Sequence, residues 1–123
     1  VTAVRGELRD AGSGRVLIGR LISATALGAR TKGFLARTVI DDDEALWFDR
    51  TSVIHTLGMR VPIDVVFLNA RGRVLKIAAA VKPWRPWVGR LGARSVVELA
   101  CGNAGRAGIT QDMTLEMRWD SPG

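Results

Sequence analysis

The sequence predicts an α+β domain, mostly antiparallel β, with about seven short strands in a barrel-like or sandwich core and one short helix. Three observations carry this. Strand-forming runs recur along the chain with Gly, Pro, Asn and Asp turn residues between them. Only residues 26–37 change to a helical period. No repeat, linker or low-complexity stretch divides the 123 residues, so 1–123 read as a single compact domain.

The elements follow in order. Thr2 to Arg9 alternates polar and apolar residues, Asp10 to Gly14 supplies turn chemistry, and Arg15 to Ile22 is rich in strand formers. Together they predict an opening hairpin. In residues 26–37, Leu27, Phe34 and Leu35 share one helical face, while Gly28 and Gly33 each cost about 1 kcal/mol against Ala. A helix there is short and depends on tertiary support. Asp41, Asp42, Asp43 and Glu44 read as a solvated acidic loop, lacking the glycine and distant glutamate of a calcium loop. Ala45 to Phe48 is a brief apolar strand.

Ile63 to Leu68 is the strongest strand signal, with Pro62 placed where no ladder hydrogen bond is needed. Asn69-Ala70-Arg71-Gly72 turns the chain, and Arg73 to Val81 returns as its partner. Residues 82–93 cannot be regular, because Pro83 and Pro86 block a helix while Gly89 and Gly92 weaken a strand. Arg94 to Ala100 is strand-like, Cys101 to Gly105 breaks it with room for one helical turn, and Met113 to Trp119 alternates as a last strand.

Composition bounds the function. The single cysteine excludes an intramolecular disulfide, and the single histidine excludes a zinc site built on two imidazoles. No apolar run approaches the ~20 residues of a membrane-crossing helix, and no leader is visible. The expectation is a protein without metal or cofactor, cytoplasmic rather than exported unless a leader has been removed. Eighteen basic against twelve acidic residues give a net charge of +6. Residues 71–106 concentrate it, with eight basic residues against Glu98 alone. Such a half attracts anionic partners: a small anion, an acidic segment of another protein, or nucleic acid.

Three blocks carry a resemblance. Gly33-Phe34-Leu35-Ala36-Arg37, the run from Ile54-His55-Thr56-Leu57-Gly58-Met59-Arg60 through Val61-Pro62-Ile63-Asp64-Val65-Val66-Phe67-Leu68, and Val97-Glu98-Leu99-Ala100-Cys101-Gly102 resemble the domain-of-unknown-function 192 family, also called uncharacterised protein family 0127. The likeness runs from about residue 27 to 115. It departs from the family pattern at Gln111-Asp112, where a Gly-Asp is usual, and at Cys101, where the family carries a small residue before the late glycine. The resemblance implies a mostly β single domain, often with a nearby export or membrane segment, and no established activity.

Two places in the chain carry candidate chemistry. Asp64 sits inside an apolar strand, on the face of Val66 and Leu68 by period-two alternation. A carboxylate there needs a partner. The candidates are His55, Arg60, Arg37 or the backbone N–H groups of the Gly58–Met59 turn. Its two readings are a tie from the preceding loop to the sheet, or a pocket rim of His55, Met59 and Asp64 in which Asp64 orients His55. The second place is the loop 82–93, where Trp84 and Trp87 alternate with Lys82, Arg85 and Arg90. The indoles either fold as a lid over the open end of the core, or stack on a ligand whose anionic group Arg85 holds.

The predicted ligand-binding set is therefore His55, Met59, Asp64, Trp84, Arg85 and Trp87, with no catalytic residue assigned. The function it suggests is a non-catalytic binding module for an anionic small molecule or partner segment. The alternatives are nucleic-acid binding through 71–106 and a cell-envelope accessory role. A hydrolase is the weakest reading. His55 with Cys101 would need hydrogen-bond contact, Cys101 reads better as a small buried hydrophobe, and no nucleophile elbow accompanies Ser52 or Ser95.

Overall fold

Both predicted hairpins are present, the opening one and that of residues 63–81. The computed structural model describes residues 5–24, 34 and 37–120, and the predicted helix at 26–37 lies almost wholly outside them. The strands are β1 (Arg5–Asp10), β2 (Val16–Ser23), β3 (Glu44–Asp49), β4 (Val53–Ile54), β5 (Ile63–Leu68), β6 (Val74–Val81), β7 (Val88–Gly89), β8 (Ser95–Ala100) and β9 (Leu115–Trp119). The helix among the described residues is α1 (Asn103–Arg106), the single turn expected after Cys101.

Seven strands form one sheet in the order β6-β5-β8-β3-β2-β1-β9, while β4 and β7 pair separately. Within the large sheet β2 and β3 run parallel and the other neighbours antiparallel. The expectation of a barrel-like core is corrected here. β6 and β9 stand at opposite ends of the order and meet only near their first residues, through an isolated bridge between Arg73 and Thr114. There Val74 N–H donates to Met113 O at 2.8 Å and Leu115 N–H to Gly72 O at 2.8 Å. Beyond that corner the edges separate, because Ile63 to Val81 and Gly6 to Trp119 pair inward with other strands. Gly72, at φ 83°, lies so close to Leu115 that a Cβ would meet its carbonyl oxygen.

Every residue of β5 and β8 is buried. Alternation explains how a strand can be buried on both faces. Val66, Leu68, Val97 and Leu99 pack with Leu8, Ile18, Leu21, Ala104 and Leu115 on one face. Ile63, Val65, Phe67 and Val96 pack with Phe34, Leu46, Phe48, Ile54 and Met59 on the other. Each large side chain so buried contributes about 2 kcal/mol of transfer free energy. The second layer is laid by Phe34 and by the stretch from β4 to Met59, which places the loops around β4 directly over the sheet.

Candidate functional site

The small sheet and its flanking loops form a flap built around one residue. Thr56 is 1% exposed, and every polar atom it owns is engaged with residues 82–85 or with its own turn. Its N–H donates to Arg85 O at 2.9 Å, and its carbonyl accepts from Trp84 N–H at 2.9 Å and Met59 N–H at 3.0 Å. Its hydroxyl donates to Lys82 O at 2.7 Å and accepts from Arg85 N–H at 2.9 Å. The Thr fits because hydroxyl donor and acceptor can serve two backbone groups at once. β4 pairs with β7 through Val53 with Gly89 and Ile54 with Val88, and Arg90 N–H donates to Ser52 O at 3.0 Å. Residues 88–89, expected to be irregular, thus form a short strand.

This stitching holds Trp84 at φ 67°, a conformation costly for a bulky side chain. Trp84 is 69% exposed and Trp87 73% exposed. The expected lid of two indoles over the core is therefore corrected: the prolines and the Thr56 bonds hold the backbone, and the rings project outward. Around them Val53, Leu57 and Leu91 are also exposed, Leu91 by 90%. Arg60, Lys82, Arg85, Arg90 and Arg94 are exposed, and residues 52–62 and 82–94 contain no Asp or Glu. Elsewhere the basic half is already neutralised in part, with Arg73 bonded to Asp112 at 3.0 Å and Arg106 to Asp42 at 3.1 Å.

His55 lies at the base of the flap, exposed, its Nδ1 accepting from Leu57 N–H at 3.2 Å. The structure thus brings His55, Trp84 and Arg85 together through Thr56. Met59 shares the Thr56 turn through its N–H, but its side chain is withdrawn into the core beneath with Ile54 and Phe34. Asp64 is elsewhere, and its partners differ from all those expected. Between Ile63 and Val65 the register with β6 slips, since Val81 faces Ile63 and Ala78 faces Val65. The extra residue frees the N–H of Ala80, held at φ 52°, which donates to Asp64 Oδ1 at 2.9 Å. The other oxygen accepts from Ala104 N–H at 3.0 Å. Ala104 lies in the first turn of α1, whose N-cap Gly102 makes no side-chain cap. Asp64 therefore ties a bulge and a helix start to the sheet, and no bond joins it to His55.

Two buried acids escaped the sequence reading. Glu44 was expected in a solvated loop, yet it opens β3 and is buried, while Asp41, Asp42 and Asp43 are exposed. Burial pushes its carboxyl up, but the Arg37 guanidinium at 2.6 Å, the Asp41 N–H and the field of Arg20 outweigh this and hold it below the usual range. Glu98 shares that face, opposite Leu46 and Val65. Burial without compensation pushes its carboxyl up to about 7. The signal was available: an acid within Val-Val-Glu-Leu-Ala, the pattern that singled out Asp64.

Cys101 is exposed rather than buried, in a shallow cleft of about 270 Å³ with Val39, Pro62 and Arg106, and His55 does not line that cleft. Among the described residues no cluster of three or more His, Cys, Asp or Glu side chains is placed to hold a metal ion. No helix among them is long and apolar enough to cross a membrane.

Comparison with known proteins bears on this architecture. The model of the DUF192 family, "Uncharacterized ACR", matches residues 12–117. The chain belongs to the DUF192 family. A UPF0127 protein of Pyrococcus furiosus is 36% identical over 64 residues, covering 52% of this chain and 49% of that protein. The match spans about half the length of that curated relative. Among solved structures, a "putative transcription regulator" from Sinorhizobium meliloti superposes with a TM-score of 0.77 at 22% identity, covering 94% of both chains. A protein of unknown function from Novosphingobium aromaticivorans gives 0.72 at 26% identity, covering 93% of this chain and 84% of that one. The two solved structures share the fold, and their descriptions assign no chemistry to the flap.

Proposed function

We propose that this DUF192 chain is a non-catalytic binding module that takes an anionic partner on the flap formed by residues 52–62 and 82–94. One observation carries the reading: Trp84 is held in a costly backbone conformation by Thr56 while its indole stands in water. Strain of this kind persists where the surroundings over-determine it, and it gathers at binding sites. Trp87 and Arg85 extend the surface, and His55 borders it. Met59 supports the flap from the core, and Asp64 fixes the end of β6 from which the flap departs.

Hydrolysis has the least support, because His55 Nδ1 is occupied by Leu57 N–H and both Asp64 oxygens by backbone donors. Nucleic-acid binding through 71–106 would draw on a region whose Arg73 and Arg106 are already paired. The S. meliloti neighbour's description as a regulator lends that reading its one outside support. Titration with an oligoglutamate peptide, followed by indole fluorescence, tests the module. Arg85→Gln with Trp87→Ser should weaken binding at least about tenfold, since charged hydrogen bonds contribute about 1.5–3 kcal/mol each. Unchanged affinity in that double variant overturns the assignment to the flap. A salt slope near about −3.6 on duplex DNA, as four phosphate contacts give, would favour nucleic acid.

A further inference from the structure

We infer that the flap docks on an anionic lipid bilayer, with its indoles and aliphatic side chains in the headgroup layer and its cations on lipid phosphates. The inference rests on the reading of the flap as the surface that meets an anionic partner, and it names that partner's class. Exposed large apolar side chains among the described residues are Val16, Val39, Val53, Leu57, Trp84, Trp87 and Leu91, and the last five all belong to this one element. A soluble chain scatters such residues singly over its surface. Here they gather on a small sheet and its loops, and the same two segments carry Arg60, Lys82, Arg85, Arg90 and Arg94 with no acid among them.

The residue types distinguish lipid from other anions. Bases offer flat faces on which indoles stack, yet they give Leu91, Leu57 and Val53 no use. An acidic peptide answers the cations and leaves the aliphatic surface in water. The bilayer interface accepts all three kinds at once: indole rings at the headgroup level, aliphatic chains at the acyl boundary, and Lys or Arg against anionic headgroups. Geometry adds to this. The two indoles project, where a cleft would be needed to enclose a small anion, and the Thr56 bonds keep the projecting backbone in place so that little conformational freedom is lost on contact. The acids sit elsewhere, with Asp41, Asp42 and Asp43 in the loop before β3 and Asp112 before β9, so the flap carries a local excess of positive charge.

Vesicle flotation tests this, using phosphatidylcholine alone and phosphatidylcholine mixed with phosphatidylglycerol in equal parts. The chain should float with the mixed vesicles, shift its indole emission to the blue, and be released by added salt. Arg85→Gln with Arg90→Gln should lower partitioning about 25-fold, at about fivefold per cation. Trp87→Ser with Leu91→Ser should weaken partitioning and reduce the blue shift to the part owed to Trp84. All four side chains are exposed, so unchanged melting temperatures will show that the variants remain folded. Failure to float, with oligoglutamate or a single-stranded oligonucleotide still bound through Arg85, overturns the lipid inference and leaves the flap as an anion-binding surface. Equal flotation with both vesicle types, indifferent to salt, overturns it as well. Failure to bind vesicle, peptide and oligonucleotide alike overturns the inference and the proposed function together.

Discussion

The sheet and the flap treat the same residue types in opposite ways. In β5 and β8 every side chain is withdrawn from water, and the acids Asp64 and Glu98 are withdrawn with them. In the flap, indoles, leucine, valine and five cations are left in solvent, and the buried polar residue there is Thr56. Buried polar groups in the sheet thus serve stability, while the exposed apolar groups of the flap are the surface on which the proposed function rests. One molecule keeps the two tasks on separate elements, joined where β6 leaves the Asp64 bulge and enters the flap.

Substitutions can break or sharpen that division. The largest effect is expected at Asp64, where Asp64→Ala leaves two backbone donors unpaired and should cost about 4 kcal/mol in urea unfolding. Preserved stability would show that the bulge and α1 find other partners. Glu98 comes next. Its native pKa of about 7 lies above the ordinary 4.5, so the folded chain keeps a proton that the unfolded chain has released. Its contribution is therefore favourable below pH 4.5, declines as pH rises toward 7 and is constant above. The span amounts to roughly 3 kcal/mol. Glu98→Gln should remove this slope, leaving the opposite slope of Glu44, whose lowered pKa gives stability lost on acidification. Wild type and variant with parallel stability curves across that window would contradict the burial of an uncompensated acid.

Smaller effects belong to the flap. Thr56→Val keeps the shape and removes two hydrogen bonds, so it should cost about 2 kcal/mol. Amide exchange at Trp84 and Arg85 should accelerate more than in β5. Leu91→Ser should change stability by less than about 0.5 kcal/mol. A larger loss would mean that Leu91 packs against something, and the contrast between the two regions would fail at that point.

The hairpin of β5 and β6 was legible because alternation, Pro62 and the Asn69–Gly72 turn all favour one register. Closure of the sheet was not, since it depends on whether residues near 72 and 115 continue to pair beyond one bridge, and no local pattern carries that. Asp64 declared itself as an acid in an apolar run, but its partners arise from a bulge sixteen residues away and a helix forty residues away. Glu44 was hidden by the three exposed aspartates before it. The charge of the flap was plain in sequence, whereas Pro-Trp-Arg-Pro-Trp suits a buried lid and an outward display equally. Thr56 gave no sign, because a threonine in a loop is ordinary until its five bonds are seen.

The carboxylate of Asp64 has a consequence for the order in which this molecule assembles. A helix of four residues is far too short to persist alone, as nucleation costs more than so few bonds return. α1 can form only after β5 has paired with β8 and brought the Asp64 oxygen to the Ala104 amide. We expect it late on the folding route, in which case changes within Asn103–Arg106 should quicken unfolding and leave the refolding rate nearly untouched.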